Sequence, residues 1–348
     1  MSLIEKLAIQ HPILLAPMAG VSTAALAAEV SNRGGLGALG LGAATPASAK
    51  EQILETQKLT DRPFQVNFFC HQSTPIDSSR NQQWIEYLQP QFEKLGKNPP
   101  ADLTCIYNSF LDNDDYLNII LETKPHAASF HFGIPHPQQL KALKEAGIVT
   151  LVSATNLAEA KAIEAAGVDI IVAQGIEAGG HRGIFNENFD SAIKTADLVK
   201  LISANCTIPI VAAGGIMNGF QAQYLINLGA SGVQLGTAFV QCKTSSANAA
   251  YRHMLFQKPL TQITSSISGR PARGIINDWA KEIDLPSRPN VAPYPYAYDI
   301  GKKLNAAAVE NGHHEFGAFW AGSNVAQIRA LEATDLMNQL ILEMNQYD

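Results

Sequence analysis

Eight short apolar runs, each ending in glycine or a polar residue, punctuate the first two thirds of the chain. They are Ile13–Met18, Leu36–Gly42, Phe64–Phe69, Ala127–Gly133, Ile148–Ala154, Val168–Gly175, Pro209–Gly215 and Gly232–Phe239. Most are continuously hydrophobic, as strands buried on both faces must be. Helical patterns rich in Ala and Leu separate them, and that alternation predicts parallel β-α units. Thr23–Asn32 reads as a helix with Ser22 as its N-cap, and Pro137–Ala146, Asn156–Ala166 and Gln221–Leu228 follow later runs. Gly147, Gly167 and Gly229 stand where helix C-caps belong. Eight units are the number a closed (β/α)8 TIM barrel needs, and such barrels run to about 250 residues or more as one unit.

The chain has 348 residues, so a barrel leaves material over. Residues 70–126 separate the third and fourth runs by more than one crossover and read as an insertion. Residues 241–348 follow the eighth run and read as a smaller, mainly helical lobe packed on the barrel mouth. The expected division is therefore a barrel over 1–240 and a lid lobe over 241–348.

Charge narrows the function classes. A net charge of −6 leaves no electrostatic footprint for nucleic acid. Charged residues make up 16% of the chain, against a usual roughly 25%, which fits a surface partly hidden in a homo-oligomer. No window reads as a transmembrane span. Met1–Gln10 carries Glu5 and Lys6 and lacks the apolar core of a signal peptide, so a cytoplasmic protein is expected. Cys70, Cys105, Cys206 and Cys242 form no C-x-x-C pair and read as reduced thiols. His313-His314-Glu315 is no metal site by pattern, since adjacent histidines point apart on a helix and no H-E-x-x-H occurs. No metal is expected.

The loops after the seventh and eighth strands of such a barrel commonly hold a phosphate. Here they read Ala212-Ala-Gly214-Gly215-Ile216 and Gln234-Leu235-Gly236-Thr237. Paired glycines let backbone N–H groups approach an anion, and a helix beginning near Asn218–Phe220 adds its positive dipole end. Pro17 and Met18 close the first run, and an adaptable Met beside exposed backbone suits the face of a flat ring. Asn67 on the third run and Gln174 on the sixth offer a donor and an acceptor each to such a ring's edge.

After the sixth run comes Gly175-Ile-Glu177-Ala-Gly179-Gly180-His181-Arg-Gly183. One histidine among four glycines, at the active face, suggests a loop pressed against something planar. His181 is the best acid–base or anion-stabilising candidate, its ordinary pKa lying near neutrality. His71 and His131 end or follow runs three and four and could line the same pocket. Glu177 lies four residues before His181, where it could orient the loop.

Taken together, Leu15-Ala-Pro-Met18, Gln65-Val-Asn-Phe-Phe-Cys-His71, Ser129-Phe-His-Phe-Gly133, Gln174-Gly-Ile-Glu-Ala-Gly-Gly-His-Arg-Gly183, Ala212-Ala-Gly-Gly-Ile216 and Gln234-Leu-Gly-Thr-Ala-Phe239 resemble the nitronate monooxygenases, class I in particular. Ser268-Gly-Arg-Pro-Ala-Arg-Gly274 and Phe319-Trp-Ala-Gly322 extend the resemblance over essentially the whole chain. The resemblance implies FMN without a reduced nicotinamide. It carries cofactor contacts to Pro17, Met18, Asn67, Gln174, Gly179, Gly180, Gly214, Gly215 and Gln234 through Thr237. It makes His181 the active-site histidine and sets Tyr107, Tyr294, Tyr298 and Lys302 in the substrate pocket, beside the candidate His131. It implies oxidation of an anionic nitronate with O2 to a carbonyl compound and nitrogen oxyanions, propionate 3-nitronate being the substrate indicated and detoxification the role. The recurrence of Arg270 and Arg273 in the pattern has no explanation at this level. Two rival classes remain: an FMN barrel that takes hydride from NADH, and a non-redox barrel that binds a sugar phosphate.

Overall fold

The computed structural model describes residues 1–347. Its strands are β1 (Ile13–Leu15), β2 (Gly37–Gly40), β3 (Phe64–Phe69), β4 (Ala127–His131), β5 (Val149–Ala154), β6 (Ile170–Gln174), β7 (Gly180–His181), β8 (Ile210–Ala213), β9 (Gly232–Leu235), β10 (Thr261–Thr264) and β11 (Ala272–Ile275). Each of the eight apolar runs contains one strand of a single parallel sheet, ordered β1-β9-β8-β6-β5-β4-β3-β2. Its two ends meet through a parallel bridge between Leu14 and Leu36, so the sheet closes into a (β/α)8 barrel.

Period two sorts the barrel's side chains into two populations. Leu14, Leu36, Leu151, Ile170, Val172 and Val211 form one apolar cluster, joined by Leu3 and Leu7 from the short helix Leu3–Leu7. The alternate residues, such as Ile13, Leu15, Val152, Ile171 and Ala212, join the larger core that includes the surrounding helices. Further along β3 to β6 and at β9, positions on the cavity side turn polar: Asn67, Ser129, His131, Ser153, Gln174 and Gln234. The same strands therefore close one end of the barrel with hydrocarbon and build a polar floor at the other.

Helix ends follow local chemistry. The first barrel helix spans Ala24–Asn32, and its N-cap is Thr23, whose Oγ1 accepts from Leu26 N at 3.0 Å. The expected cap Ser22 serves elsewhere, accepting from Met18 N at 3.0 Å and so shaping the end of the first run. Asn218 caps the helix Gly219–Asn227 by accepting from Gln221 N. Gly147, Gly167 and Gly229 all take positive φ just after their helices, a conformation that costs glycine little.

The excursions from the barrel divide by packing. Helix Ser78–Lys94 leaves the barrel and packs on helix Tyr296–Glu310, joining Trp84, Leu88 and Phe92 to Trp279, Ile300 and Leu304 in a separate core. Helix Asp114–Thr123 instead packs beside helices Pro46–Leu59 and Pro137–Glu145, as part of the barrel's ring. The last helix, Ala333–Asn345, also returns to the barrel, packing on Gly219–Asn227 and Ala24–Asn32. Its Leu336, Met337 and Leu340 enter the main core, which holds it there rather than on the lobe. The segment between also carries the hairpin β10–β11, to which β7 adds an edge strand.

Candidate active site

A cavity of about 330 Å³ opens at the barrel's C-terminal end. Pro17 and Met18 form one side of it, after β1. Asn67, His131 and Gln174 stand on its floor, and Gly179, Gly180 and His181 form the opposite wall. Gly214 and Gly215, with Gln234, Gly236 and Thr237, form its far end. Tyr107, Tyr298 and Lys302 border it from outside the barrel. Two expected residues lie elsewhere. Leu235 is the pleat neighbour of Gln234, so its side chain points into the main core. Tyr294 lies behind the wall, its ring 5.9 Å from that of His181 and packed on His71 and Phe132.

The far end can receive an anion. Gly214 and Gly215 have φ of 122° and 73°, which disfavours any side chain. A Cβ on Gly215 would lie 2.9 Å from Glu177 Cβ and 3.1 Å from Asn324 Nδ2. Asn324 donates to Gly215 O at 2.6 Å and Thr195 Oγ1 to Gly214 O at 3.0 Å, fixing the turn from outside. Those bonds hold the carbonyls, while the N–H groups of Gly215 and Ile216 have no partner among the described residues. Thr237 Oγ1 accepts from Gly322 N at 3.0 Å, so its own proton remains available. Glu177 turns away from this end: its Oε2 accepts from Thr195 N at 2.9 Å, at the start of helix Thr195–Ser203.

The glycine-rich loop is shaped by the chain itself. A Cβ at Gly179 would stand 2.6 Å from the backbone of Ala321 and Gly322, and one at Gly183 would stand 2.8 Å from the ring of His131. Gly175 backs onto Thr195 in the same way. Only Gly180, with φ of 79° and open space around it, is required by conformation alone. Close approach to other parts of the chain thus accounts for Gly175, Gly179 and Gly183.

Three arginines hold the loop. Arg182 is fully buried, pairs with Asp190 at 2.7 Å, and donates to Gln174 Oε1 at 3.0 Å and Gly175 O at 2.6 Å. Arg273 donates to Ile176 O at 3.0 Å. Arg270 donates to Ile184 O at 2.8 Å, with its guanidinium 4.3 Å from the centre of the Phe132 ring. These contacts give Arg270 and Arg273 the role that sequence reading left open. Each ties the Ser268–Gly274 segment to the loop that carries His181.

The amide of Gln174 is largely committed to the same task. Its Nε2 donates to His181 O at 2.9 Å, and its Oε1 also accepts from Gly183 N at 2.7 Å. His131 is committed on both sides: Nε2 lies 3.1 Å from His181 O, and Nδ1 lies 2.9 Å from Ser153 Oγ. A carbonyl only accepts, so His131 carries its proton on Nε2 and accepts from Ser153 on Nδ1. His181 Nε2 lies 2.8 Å from Ser268 Oγ. Burial pushes the pKa of His181 down to about 3, with His131 and the Arg270 cation adding to the effect. Burial likewise holds His131 at about 4, despite its bond to the His181 carbonyl. Both rings are neutral at neutral pH.

The outer edge is aromatic and cationic. Tyr298 and Lys302, one turn apart on the helix Tyr296–Glu310, share a face. The Lys302 ammonium lies 4.9 Å from the centre of the Tyr107 ring and 5.2 Å from that of Tyr298. Asp299, the nearest carboxylate on that helix, accepts instead from Lys303 Nζ at 2.8 Å and Thr104 N at 3.0 Å. Lys302 thus has no carboxylate partner among the described residues. Burial lowers its proton affinity, partly countered by Asp299.

Sequence reading missed Ser129, Ser153, Ser268 and Trp320. Ser129 and Ser153 were findable, since each keeps the period-two phase of its strand's cavity-facing residues. Ser268 and Trp320, whose ring lies 5.3 Å from that of His181, come from distant segments that the resemblance included without giving either residue a role. Among the described residues no group of three His, Cys, Asp or Glu is placed to hold a metal ion. No helix there is long and apolar enough to cross a membrane.

Gln234 Oε1 is buried on the cavity wall without a hydrogen-bond partner. Such an acceptor calls for a donor from a ligand. With the anion-receiving turn beside it and Met18 lining the same cavity, the residues present fit a phosphorylated, planar, N–H-bearing group such as FMN.

Known proteins resemble this chain over nearly its whole length. Residues 1–343 match the family model described as nitronate monooxygenase. A nitronate monooxygenase of Paraburkholderia phytofirmans is 49% identical, the match covering 99% of this chain and 95% of that one. One from Pseudomonas aeruginosa is 48% identical, with 97% of each chain covered. Among solved structures, nitroalkane oxidase from Streptomyces ansochromogenes superimposes with a TM-score of 0.90 at 33% identity, over 99% of this chain and 98% of that one. FabK from Thermotoga maritima matches with a TM-score of 0.75 at 27% identity, over 99% and 96%. By its near full-length match to the family model and to these relatives, the chain belongs to the nitronate monooxygenase family of enzymes.

Proposed function

We propose that the protein is an FMN-dependent oxidase of anionic alkyl nitronates, with O2 as co-substrate and propionate 3-nitronate as the substrate that fits best. The observation that carries the choice of substrate is Lys302, a cation at the cavity edge with no carboxylate partner. A substrate carrying both a nitronate and a carboxylate supplies that partner. The products are a carbonyl compound with nitrite or nitrate, and the role is detoxification.

FMN would be held by Gly214, Gly215, Gly236 and Thr237 at its phosphate and by Met18, Asn67 and Gln234 about its ring system, and it supplies the electron acceptor. The chain's own residues do the rest. Lys302 pairs with the distal carboxylate, while Tyr107 and Tyr298 donate hydrogen bonds, since burial keeps both phenols protonated. His181 is neutral and so can take up a carbon-bound proton, but it holds protons weakly, so a neutral nitro compound is turned over more slowly. A substrate that arrives already deprotonated removes that requirement. The aromatic rim of Tyr107, Tyr298 and Trp320 limits access of water.

We read residues 1–240 with the last helix as the cofactor-binding barrel. The extra helix Ser78–Lys94 and the segment from 241 to Glu310 form the lid that brings Tyr298 and Lys302 to it. The four free cysteines fit a reducing cytoplasm.

The purified protein should be yellow and should consume O2 with a preformed nitronate, at higher kcat/KM than with the matched neutral nitroalkane, measured before the two forms interconvert. A colourless protein, or equal or higher kcat/KM for the neutral form, overturns this reading. So does steady anaerobic NADH oxidation with a quinone in place of nitronate turnover.

A further inference from the structure

His181 is bonded to the chain through one ring nitrogen, and the partner at that nitrogen decides what the other offers to the cavity. Nε2 lies 2.8 Å from Ser268 Oγ. Ser268 is completely buried, so no solvent completes its bonding. Its hydroxyl has one proton and two lone pairs. Arg270 O lies 3.1 Å away and Arg270 N 3.4 Å away. The carbonyl of Arg270 is buried, is followed by Pro271, and has no other donor among the described residues.

A buried carbonyl left without a donor is costly, because it gives up its bond to water and gains none in return. Two proton arrangements are available. If Ser268 donates to His181 Nε2, the carbonyl of Arg270 is orphaned. If Ser268 donates to Arg270 O, both its lone pairs are taken, one by Arg270 N–H and one by a proton on His181 Nε2. Only the second arrangement satisfies every group. Nδ1 of His181 then carries a lone pair, has no protein partner, and belongs to a side chain that lines the cavity. His131 cannot substitute, because both its nitrogens are bonded to the chain.

We infer that Ser268 is a positioning residue: it fixes His181 as the Nε2–H tautomer and leaves Nδ1 as the one histidine nitrogen in the cavity able to accept a proton. The inference rests on the reading of this cavity as the substrate site and deepens it. Arg270 serves the device twice, by presenting its carbonyl to Ser268 and by being clamped between Phe132 and Ile184 O so that the carbonyl stays in place. A neutral nitroalkane, which must lose a carbon-bound proton, depends on Nδ1. A preformed nitronate does not.

The test combines nitrogen NMR of the flavin-loaded protein, labelled at histidine, with turnover of a neutral nitroalkane and of its nitronate. The His181 signals are assigned by their loss in His181→Asn. The wild type should show Nε2 protonated and Nδ1 bare at neutral pH. Ser268→Ala should mix the tautomers and lower kcat for the nitroalkane about tenfold, in line with loss of one oriented hydrogen bond, with the nitronate affected less. Ser268→Thr, which keeps the hydroxyl, should restore both. A wild type protonated on Nδ1 overturns the assignment, as does a Ser268→Ala variant that keeps the wild-type tautomer or the wild-type nitroalkane kcat. The tautomer is read from the spectrum without any substrate. Failure of the tautomer is thereby distinguished from failure of the substrate reading.

Discussion

His131 donates from Nε2 to the carbonyl oxygen of His181, 3.1 Å away, so one histidine holds the backbone of the other. Neither ring can accept a proton in place without cost. His71, buried behind them, is likewise held at about 4 by burial and by the Arg270 cation.

This arrangement sets the acid limit of stability. The three rings hold protons less tightly in the fold, at about 3 to 4, than at the ordinary 6.5 of the open chain. Below pH 6.5 the unfolded chain therefore binds protons that the native state does not, and stability falls as pH drops. Between pH 7 and 5, where few carboxylates titrate, Tm should decline, and His71→Phe should flatten the decline. Thermal melts across that range check it; a Tm independent of pH contradicts it.

The far end of the cavity predicts the cofactor. One anion-receiving turn, and no G-x-G-x-x-G opening a helix after β1, calls for a single phosphate. Mass spectrometry of the released cofactor should give FMN and not FAD. Gly215→Asp should lose it, since the new Cβ would meet Glu177 Cβ at 2.9 Å and Asn324 Nδ2 at 3.1 Å and the residue's φ of 73° strains any side chain, which distorts the turn that presents the N–H groups. Full flavin retention in that variant would remove the phosphate from this turn.

His181→Asn separates two substrates. The variant should retain FMN, because the phosphate turn is held by Thr195 and Asn324 and not by the His181 side chain. Its kcat/KM for a neutral nitroalkane should fall by roughly 10²–10⁴-fold, the usual worth of general acid–base assistance. Loss with the preformed nitronate should be smaller. Equal losses on both would make His181 a binding residue for either form.

Lys302→Met tests the distal carboxylate. KM for propionate 3-nitronate should rise more than KM for an alkyl nitronate lacking the carboxylate. A charge-assisted hydrogen bond worth about 1.5–3 kcal/mol corresponds to roughly 10- to 150-fold. Equal changes for the two substrates would mean that Lys302 supports Tyr107 and Tyr298 and does not read the carboxylate.

The barrel was legible in the sequence because each of its strands is buried on both faces and so writes a local, continuous apolar run. The phosphate turn and the Gly175–Gly183 loop were legible for a related reason. Positive φ and close backbone approach exclude side chains, and that leaves glycine in the sequence. What the sequence could not show was which groups those loops meet. The same string Ser268–Gly274 fits a surface turn as well as it fits a clamp on His181. Only the fold brings Ser268 within 2.8 Å of a ring 87 residues earlier, and only there does the hydroxyl's single proton decide the tautomer. Burial is also a property of the assembled structure. By sequence His181 is a residue that titrates near neutrality, whereas the packed loop, His131 and Arg270 hold it neutral down to about 3. Local sequence determined the elements and their backbone demands. The long-range contacts decided charge state, hydrogen-bond direction and which cation, Lys302 rather than Lys303, was left without a partner, because those depend on neighbours that chain order does not supply.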